Sequence, residues 1–371
     1  MNKPHCVDSV IIGAGPAGCA AAMRLVQADK QVVMLDAEPK QREYKIGESG
    51  TPSLRSILPR LNLEPELEKL GHLPCHGNRA VWGSPHVEEQ DFLFKGMGHG
   101  WHLDRAEFDN WLRREAEQKG VTILRPAQLE DLGLLPSQTW GLKIEFEQKS
   151  YLLESRCLID ASGRAAVLAK KLGAQRKRLD ELTALAIIAT PSDDETLYSM
   201  SLVESCEQGW WYAAVIPNGQ IIITLMTDAD IVRELDLTNI DNYLALLEQT
   251  QEVQKQLKKP YQISTSVMAY PAHSGYLSQV AGMGWLAVGD AAIGLDPLTS
   301  SGIHCAMADG ISGAEALIAS MEGDKQAIPN YANNLQNALK QYLTERQTYY
   351  QRETRWADNR FWQRRQCSKH A

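Results

Sequence analysis

Val10-Ile11-Ile12-Gly13-Ala14-Gly15-Pro16-Ala17-Gly18 is the stretch whose reading decides the fold. Three branched apolar residues read as a short buried strand. Gly13-x-Gly15-x-x-Gly18 follows at once, and Cys19 to Asp29 continues as a helix. Gly13 makes the tight turn, Gly15 lets backbone approach a pyrophosphate, and Gly18 lets helix and strand pack closely; Ala17 belongs to the same phosphate-facing turn. The helix N-terminus then presents free N–H groups and a positive dipole end to the phosphates. A second strand, Gln31 to Leu35, ends on Asp36, an acid placed to hold a ribose hydroxyl. Strand, loop, helix, strand and acid in this order specify a dinucleotide and leave FAD and NAD both open.

The 371 residues suffice for two packed lobes, and 44% apolar with 23% charged residues is an ordinary globular composition. The formal net charge of −8 argues against nucleic acid as a partner. No apolar run approaches the ~18 residues that would span a bilayer. The N-terminal apolar stretch is the first strand and no signal peptide is visible; the scattered cysteines make a reducing cytoplasm the expected compartment. Seven cysteines lie scattered without C-x-x-C spacing, which predicts neither a zinc site nor a disulfide framework, and no metal is expected.

Downstream of Asp36 comes a polar stretch, Ala37 to Lys45, then Ile46-Gly47-Glu48-Ser49-Gly50-Thr51-Pro52. Pro52 predicts a helix start, with Leu54, Ile57, Leu58 and Leu61 on one face. Asn78 to Trp82 and Phe92 to Phe94 read as strands. Asp104 and Glu107 form a capping box ahead of a helix with Phe108, Leu112 and Ala116 inside, stopped at Gly120. Trp140 to Phe146 and Tyr151 to Ile159 read as an antiparallel pair ending on Asp160-Ala161-Ser162-Gly163-Arg164. Four segments rich in β-branched and aromatic residues then predict a second sheet: Thr183 to Ala189, Thr196 to Val203, Trp210 to Ile216 and Ile221 to Thr227. A helix from Asn239 to Gln256 and a return strand from Ile263 to Tyr270 complete it. Gly284 to Val288 is a buried strand leading into Gly289-Asp290-Ala291, and a helix opens at Gly302-Ile303. Tyr331 to Gln366 reads as helical and aromatic; from Lys340 onward eight Lys/Arg face three Asp/Glu.

Three separated segments, the Gly-rich loop, Asp160-Ala161-Ser162-Gly163-Arg164 and Gly289-Asp290-Ala291, together resemble the FAD-dependent aromatic hydroxylase superfamily, which includes tryptophan halogenases and geranylgeranyl reductases. Gly47-Glu48-Ser49 and Asp296-Pro297-Leu298-x-Ser300-Ser301-Gly302 are similar to the halogenase branch. Trp82-Gly83, Gly100 to Arg105, Gly209-Trp210-Trp211-Tyr212 and the tail Glu353-x-Arg355-Trp356 with Phe361-Trp362-x-Arg364-Arg365 resemble the LodB-like (GoxB-like) maturation flavoproteins. The resemblance implies an α/β fold: a Rossmann-type FAD-binding lobe (1–75, 101–175 and 273–328) interleaved with a mostly antiparallel β-sheet substrate lobe (76–100 and 176–272) and a helical C-terminal extension (329–371). It implies one non-covalent FAD, with NAD(P)H as reductant and O2 as co-substrate. It further implies hydroxylation of a protein-bound tryptophan in a precursor oxidase or dehydrogenase during tryptophylquinone biosynthesis. Two other readings stay open: a hydroxylase or halogenase of a small aromatic metabolite, and a flavin-bound chaperone without catalysis. Against halogenation, His72 to Leu93 contains no lysine where the halogenases carry one, with Asn78 and Arg79 near that place.

The candidate cofactor-binding residues are therefore Gly13, Gly15, Ala17, Gly18, Asp36, Glu48, Ser49, Arg105, Asp160, Gly163, Gly289, Asp290, Gly302 and Ile303. Asp290 is suited to accept a ribitol hydroxyl, and the helix at Gly302 to stabilise negative charge on a reduced flavin. Arg105 either reaches pyrophosphate oxygens or is a surface arginine. Glu48 orients substrate or shuttles a proton, or is simply a turn carboxylate. His304, just inside its helix, is the best-placed acid/base group beside His99 and His102, each of which also has a purely structural reading. Trp210, Trp211 and Tyr212 are candidate substrate-binding residues, although strand alternation puts Trp210 and Tyr212 on one face and Trp211 on the other. In the tail, Tyr342 and Tyr349 are expected to pack on the chain's own flavin lobe, leaving Arg364-Arg365 as a candidate partner contact.

Overall fold

The structure is a computed structural model that describes residues 6–37, 44–64, 67–191, 199–257 and 261–366. The polar positions 38–43 and the start of the strand expected at Thr196 lie outside the described residues.

The opening strand, Cys6–Ile12, pairs in parallel with Lys149–Asp160 on one side and Val32–Leu35 on the other. Burial on both faces explains the apolar run Val10 to Ile12 at its end. The sheet runs Ala281–Gly282, Trp285–Ala287, Lys149–Asp160, Cys6–Ile12, Val32–Leu35, Thr122–Leu124. Trp140–Phe146 and Ala127–Leu134 extend it as an antiparallel ribbon. Helix Pro16–Val26 starts earlier than expected, at Pro16, whose missing N–H costs nothing in a first turn. It packs against Gly302–Met321 at backbone distance, since a Cβ on Gly310 would lie 2.2 Å from the Ala17 carbonyl oxygen. Gly18 is needed for the same reason: its Cβ would lie 2.0 Å from the Gly13 carbonyl oxygen.

The second sheet runs Tyr261–Ile263, Leu182–Pro191, Ile221–Asp228, Gly209–Val215, Met200–Cys206, Gly77–Val81, Glu88–Asp91, with Met268–Pro271 also on Leu182–Pro191. All neighbours are antiparallel except Gly77–Val81 against Met200–Cys206. Both of its faces are covered. Trp211, Ile223 and Leu225 pack with Tyr243 on one side, while Trp210, Tyr212 and Met226 pack with Tyr350, Phe361 and Trp362 of the C-terminal helices on the other.

Several expected elements differ for identifiable reasons. The helix after Pro52 shortens to Leu54–Ile57 and a tighter turn, Leu58–Leu61, because Pro59 cannot donate to an α-helical ladder. Phe92 to Phe94 is not a strand; the strand ends at Asp91, whose carboxylate accepts the Leu93 N–H at 2.7 Å and turns the chain. The helix expected from Asn239 to Gln256 is two, Ile240–Leu247 and Glu252–Gln256. The break is set by buried Glu204, whose carboxylate accepts the N–H groups of Gln251, Glu252 and Val253 and so caps a new N-terminus. Ile263 to Tyr270 likewise divides into two short strands.

The tail forms helices Ala327–Gln351 and Arg360–Gln366. Tyr342 reaches the flavin side, accepting the Asp296 N–H at 2.7 Å. Tyr349 is exposed instead, and its neighbour Tyr350 is the buried ring. Of Arg364-Arg365 only Arg364 is exposed: buried Arg365 donates to both Asp228 oxygens at 2.5 and 3.1 Å and cannot meet a partner, while Arg364 donates to Asp228 and Asp230. The reason is position. Asp228 closes strand Ile221–Asp228 under the last helix, where its buried carboxylate needs cations. Replacing Asp228 with Ala should therefore cost about 3–5 kcal/mol, since it strands a buried guanidinium. Denaturant unfolding measures this, and an unchanged midpoint would show that the pair does not hold the tail.

Candidate active site

A cleft of about 400 Å³ lies between the two sheets. On one side it begins at Gly15, Pro16 and Ala17. Gly13 holds φ +106°, which makes the turn, and a Cβ on Gly15 would meet nothing within 4 Å, so this residue borders open space. Helix Pro16–Val26 has no side-chain cap at its N-terminus, and neither has Gly302–Met321, whose Gly302 and Ile303 line the same cleft. Two sets of unpaired N–H groups thus converge on one space, an arrangement made for anionic ligand groups. Arg164 adds a buried Nε without a partner, while its Nη1 pairs with Asp290 at 2.9 Å. These donors fit a dinucleotide carrying a pyrophosphate. Neither a cysteine nor a histidine is among the described residues lining the cleft.

Arg105 sits at the start of helix Arg105–Gln118, capped by Asp104, whose carboxylate accepts the Ala106 and Glu107 N–H groups. Its guanidinium donates to the Ile46 and Gly47 carbonyls and to Asp109. Burial alone would raise the Asp109 carboxyl, but Arg105 and Lys45 hold it below the usual carboxylate range. The result is a fixed Ile46–Gly47 turn that presents Glu48. Glu48 is buried and accepts the Gly47 N–H at 2.9 Å. Burial pushes its carboxyl up, against hydrogen bonds from backbone and from Tyr212. Ser49 and Tyr212 share a hydrogen bond of 2.6 Å across the cleft.

Asp36 accepts the Ala14 N–H at 3.1 Å and pairs with Arg125, holding the Gly-rich turn. Asp160 is occupied by the Ser162 N–H and hydroxyl and the Ala169 N–H, so it shapes the loop that brings Gly163 and Arg164 to the cleft. Gly289 lies behind Asp290, packed so that a Cβ would be 2.9 Å from the Ala17 methyl. Trp210 and Tyr212 line the cleft, whereas Trp211 points away and stacks edge-on to Tyr243 at 5.2 Å between centroids. Trp211 must therefore be removed from the substrate-binding set, as strand alternation demands. His304 does not line the cleft either: Gly302, Ile303 and Ala306 do, and the next position along a helix turns off that face. His99 contacts Arg55 and Glu68, and His102 donates to or accepts from Ser201, both outside the cleft wall. Thr224 and Met226 were not anticipated as lining residues; they sit opposite Tyr212 and Trp210 in the strand register, a relation visible only once that register is known.

The turn and the two uncapped helices at one cleft define an FAD-binding flavoprotein, and the FAD binding domain family model matches residues 8–46. The tryptophan halogenase family model matches residues 69–371, and the chain belongs to that family. It is 30% identical over 361 residues to LodB of Marinomonas mediterranea, described as an FAD-dependent oxidoreductase, with 96% of each chain covered. It is 25% identical over 370 residues to the flavin-dependent halogenase armH3 of Armillaria mellea, covering 92% of this chain and 73% of that one. In fold it is similar to the flavin-dependent halogenase CmlS, with a TM-score of 0.86 at 22% identity over 99% of this chain and 68% of that one. It is also similar to QhpG, a peptidyl tryptophan dihydroxylase essential for tryptophylquinone cofactor biogenesis, with a TM-score of 0.77 at 20% identity over 98% and 80%.

Two outcomes follow for this site. Gly15 has φ −82°, which any residue adopts, so Gly15→Leu should fold normally yet fill the phosphate space. Losing even one charge-assisted bond of about 1.5–3 kcal/mol means at least about tenfold weaker FAD binding by titration; unchanged affinity would refute the placement. Glu48, with its carboxyl raised by burial, binds its proton more tightly folded than unfolded, so ionising it costs stability as pH rises through the carboxylate range. Glu48→Gln should accordingly melt higher than wild type at neutral pH, with the gap closing as pH falls; a gap that widens in acid would contradict a raised carboxyl.

Proposed function

We propose that the protein is an FAD-dependent monooxygenase that hydroxylates a tryptophan side chain of a partner protein, a precursor oxidase or dehydrogenase that matures to a tryptophylquinone enzyme. The observation that carries this reading is the cleft wall. Trp210 and Tyr212 face the flavin-side helix, and the segment His72 to Leu93, where halogenases carry a lysine, has none. Arg79, near that place, is engaged with Glu89 and Glu252 at 3.1 Å each, on the sheet and away from the cleft. The end-to-end similarity to LodB and the peptidyl tryptophan chemistry of QhpG support it.

Bound FAD would supply the electrons and oxygen activation, with NAD(P)H as reductant and O2 as co-substrate. Gly15 to Ala17, Arg164 and Asp290 hold it, without a covalent link, since no thiol or imidazole is at hand among the described lining residues. The N-terminus of Gly302–Met321 stabilises negative charge on the ring system. Trp210, Met226, Ile303 and Ala306 keep water from the reacting face, and Trp210 offers an aromatic edge to an incoming indole. Glu48, its carboxyl raised by burial and set beside the Tyr212 hydroxyl, is the group in the cleft suited to exchange a proton with the reacting centre. Binding energy from surfaces remote from the indole would bring in a protein-borne ring. Among the described residues no helix is long and apolar enough to cross a membrane.

One observation favours a second reading, a small aromatic metabolite as substrate: Ser300 and Gly302 border the cleft at the flavin side, and armH3 and CmlS are halogenases. Mass spectrometry separates the two. A candidate precursor expressed with the protein should gain oxygen, in steps of one atom, on a tryptophan peptide, while free tryptophan, indole and phenols remain unchanged. Turnover of a small molecule without a mass gain on the precursor would overturn the proposal, and tight precursor binding with no mass gain on either would indicate a chaperone.

A further inference from the structure

Asp296 opens the loop that leads into helix Gly302–Met321, and this loop lines the cleft through Asp296, Pro297 and Ser300. Its backbone is not a relaxed one: Ser300 adopts φ +51°, a conformation that persists in a non-glycine residue only where the surroundings impose it. The surroundings come from the C-terminal extension. Arg346 donates from Nε to Asp296 Oδ2 at 3.1 Å, and the Tyr350 hydroxyl donates to the same oxygen at 2.9 Å. The other Asp296 oxygen accepts the Leu298 N–H at 3.0 Å, starting the turn Pro297–Thr299. Arg346 also reaches Asp180 Oδ2 at 2.7 Å, and Asp180 accepts the N–H groups of Leu182 and Ser274. The Tyr350 hydroxyl in turn accepts the indole N–H of Trp210 at 3.1 Å. Asp296, Arg346, Tyr350 and Trp210 are all buried, so these bonds form in a setting of low dielectric that strengthens them.

We infer that the C-terminal helix Ala327–Gln351 is a clamp on the active site: Arg346 and Tyr350 are positioning residues that hold the flavin-facing loop in its strained shape and tie it to Trp210 on the substrate wall. This rests on the flavin reading of the cleft. The physical logic is that one oxygen, Asp296 Oδ2, is shared by a cation and a phenol whose own acceptor site is filled by the substrate wall. Displacing Trp210 alters the phenol's hydrogen bond, and with it the carboxylate that starts the loop. The clamp also gives the tail's aromatic and basic residues an internal task in place of partner docking.

The deciding variant is Tyr350→Phe, which removes one oxygen atom and leaves the ring packing intact. Amide hydrogen exchange of the full-length, FAD-free protein should speed up about tenfold at Leu298 to Ile303, the effect of losing one hydrogen bond to a charged group. The core strand Ile221–Asp228 should be unchanged. FAD binding should weaken by a similar factor, and the flavin midpoint potential should fall as the helix N-terminus loses its fixed place. Arg346→Lys should keep part of the effect that Arg346→Met loses. If Arg346→Met does not fold, Tyr350→Phe decides. Wild-type exchange rates in the loop together with wild-type FAD affinity and potential in Tyr350→Phe would overturn the clamp. A wild-type chain that binds no FAD would overturn the flavin reading instead, and the exchange comparison alone would then confirm or reject the clamp.

Discussion

The approach of helices Pro16–Val26 and Gly302–Met321 is the constraint on which the rest of the site depends. Their contact is backbone on backbone, possible because Gly310 has no Cβ to meet the Ala17 carbonyl. Two helices that close must start close together, and both start at the cleft. The fold thereby places two positive helix ends, drawn from opposite ends of the chain, on one ligand. Any side chain at Gly310 would pry them apart and separate the phosphate end of the cleft from the ring end.

The second constraint is that the substrate sheet has no solvent face. Buried on both sides, its central strands Gly209–Val215 and Ile221–Asp228 are rich in apolar residues, and alternation still sorts their side chains. Gly209–Val215 shows this in three residues: Trp210 and Tyr212 face the cleft and Trp211 faces the helices around Tyr243. The C-terminal helices cover the part of the cleft-side face that the flavin lobe leaves open, with Trp362 stacked edge-on to Trp82 at 5.3 Å. Covering that face is why the tail is aromatic, and reaching Asp228, Asp296 and Asp180 outside it is why the tail is basic.

What was legible in the sequence was local. The Gly-rich turn, its flanking strands and the N-cap at Asp104 are written in contiguous residues whose geometry allows few alternatives, and the structure contains them; the reciprocal half of the expected capping box does not form, because the Asp104 N–H donates to His72 and Glu107 pairs with Arg114. What was not legible depended on partners distant in sequence. Nothing near Gln251 announces that Glu204 ends one helix there and starts another. Nothing near Arg365 announces Asp228, so the basic pair read as surface. Thr224 and Met226 enter the cleft only through their register with Tyr212 and Trp210. His304 looked well placed because it follows Ile303, yet one residue along a helix is a turn of about 100° away from the ligand.

The charges around the cleft follow one rule with one exception. The chain is acidic overall, but the cleft is lined by Lys45, Arg105 and Arg164, each already held by a carboxylate: Asp109 for the first two and Asp290 for the third. Such prior pairing fixes the guanidinium groups and limits their affinity for arbitrary anions, so selectivity falls to the unpaired backbone N–H groups, which accept only a ligand of the right shape. Glu48 is the exception. It sits within the same field, its nearest arginine, Arg105, is turned toward the Ile46 and Gly47 carbonyls, and burial outweighs the nearby charge. A carboxyl raised by burial beside a phenol and a serine is suited to proton exchange. It is also the one acidic side chain in the cleft that neither an arginine nor a lysine neutralises through a direct ion pair among the described residues. The architecture thus separates two tasks that share one cavity, holding an anionic cofactor by fixed dipoles and setting one unpaired, burial-raised carboxyl for proton exchange.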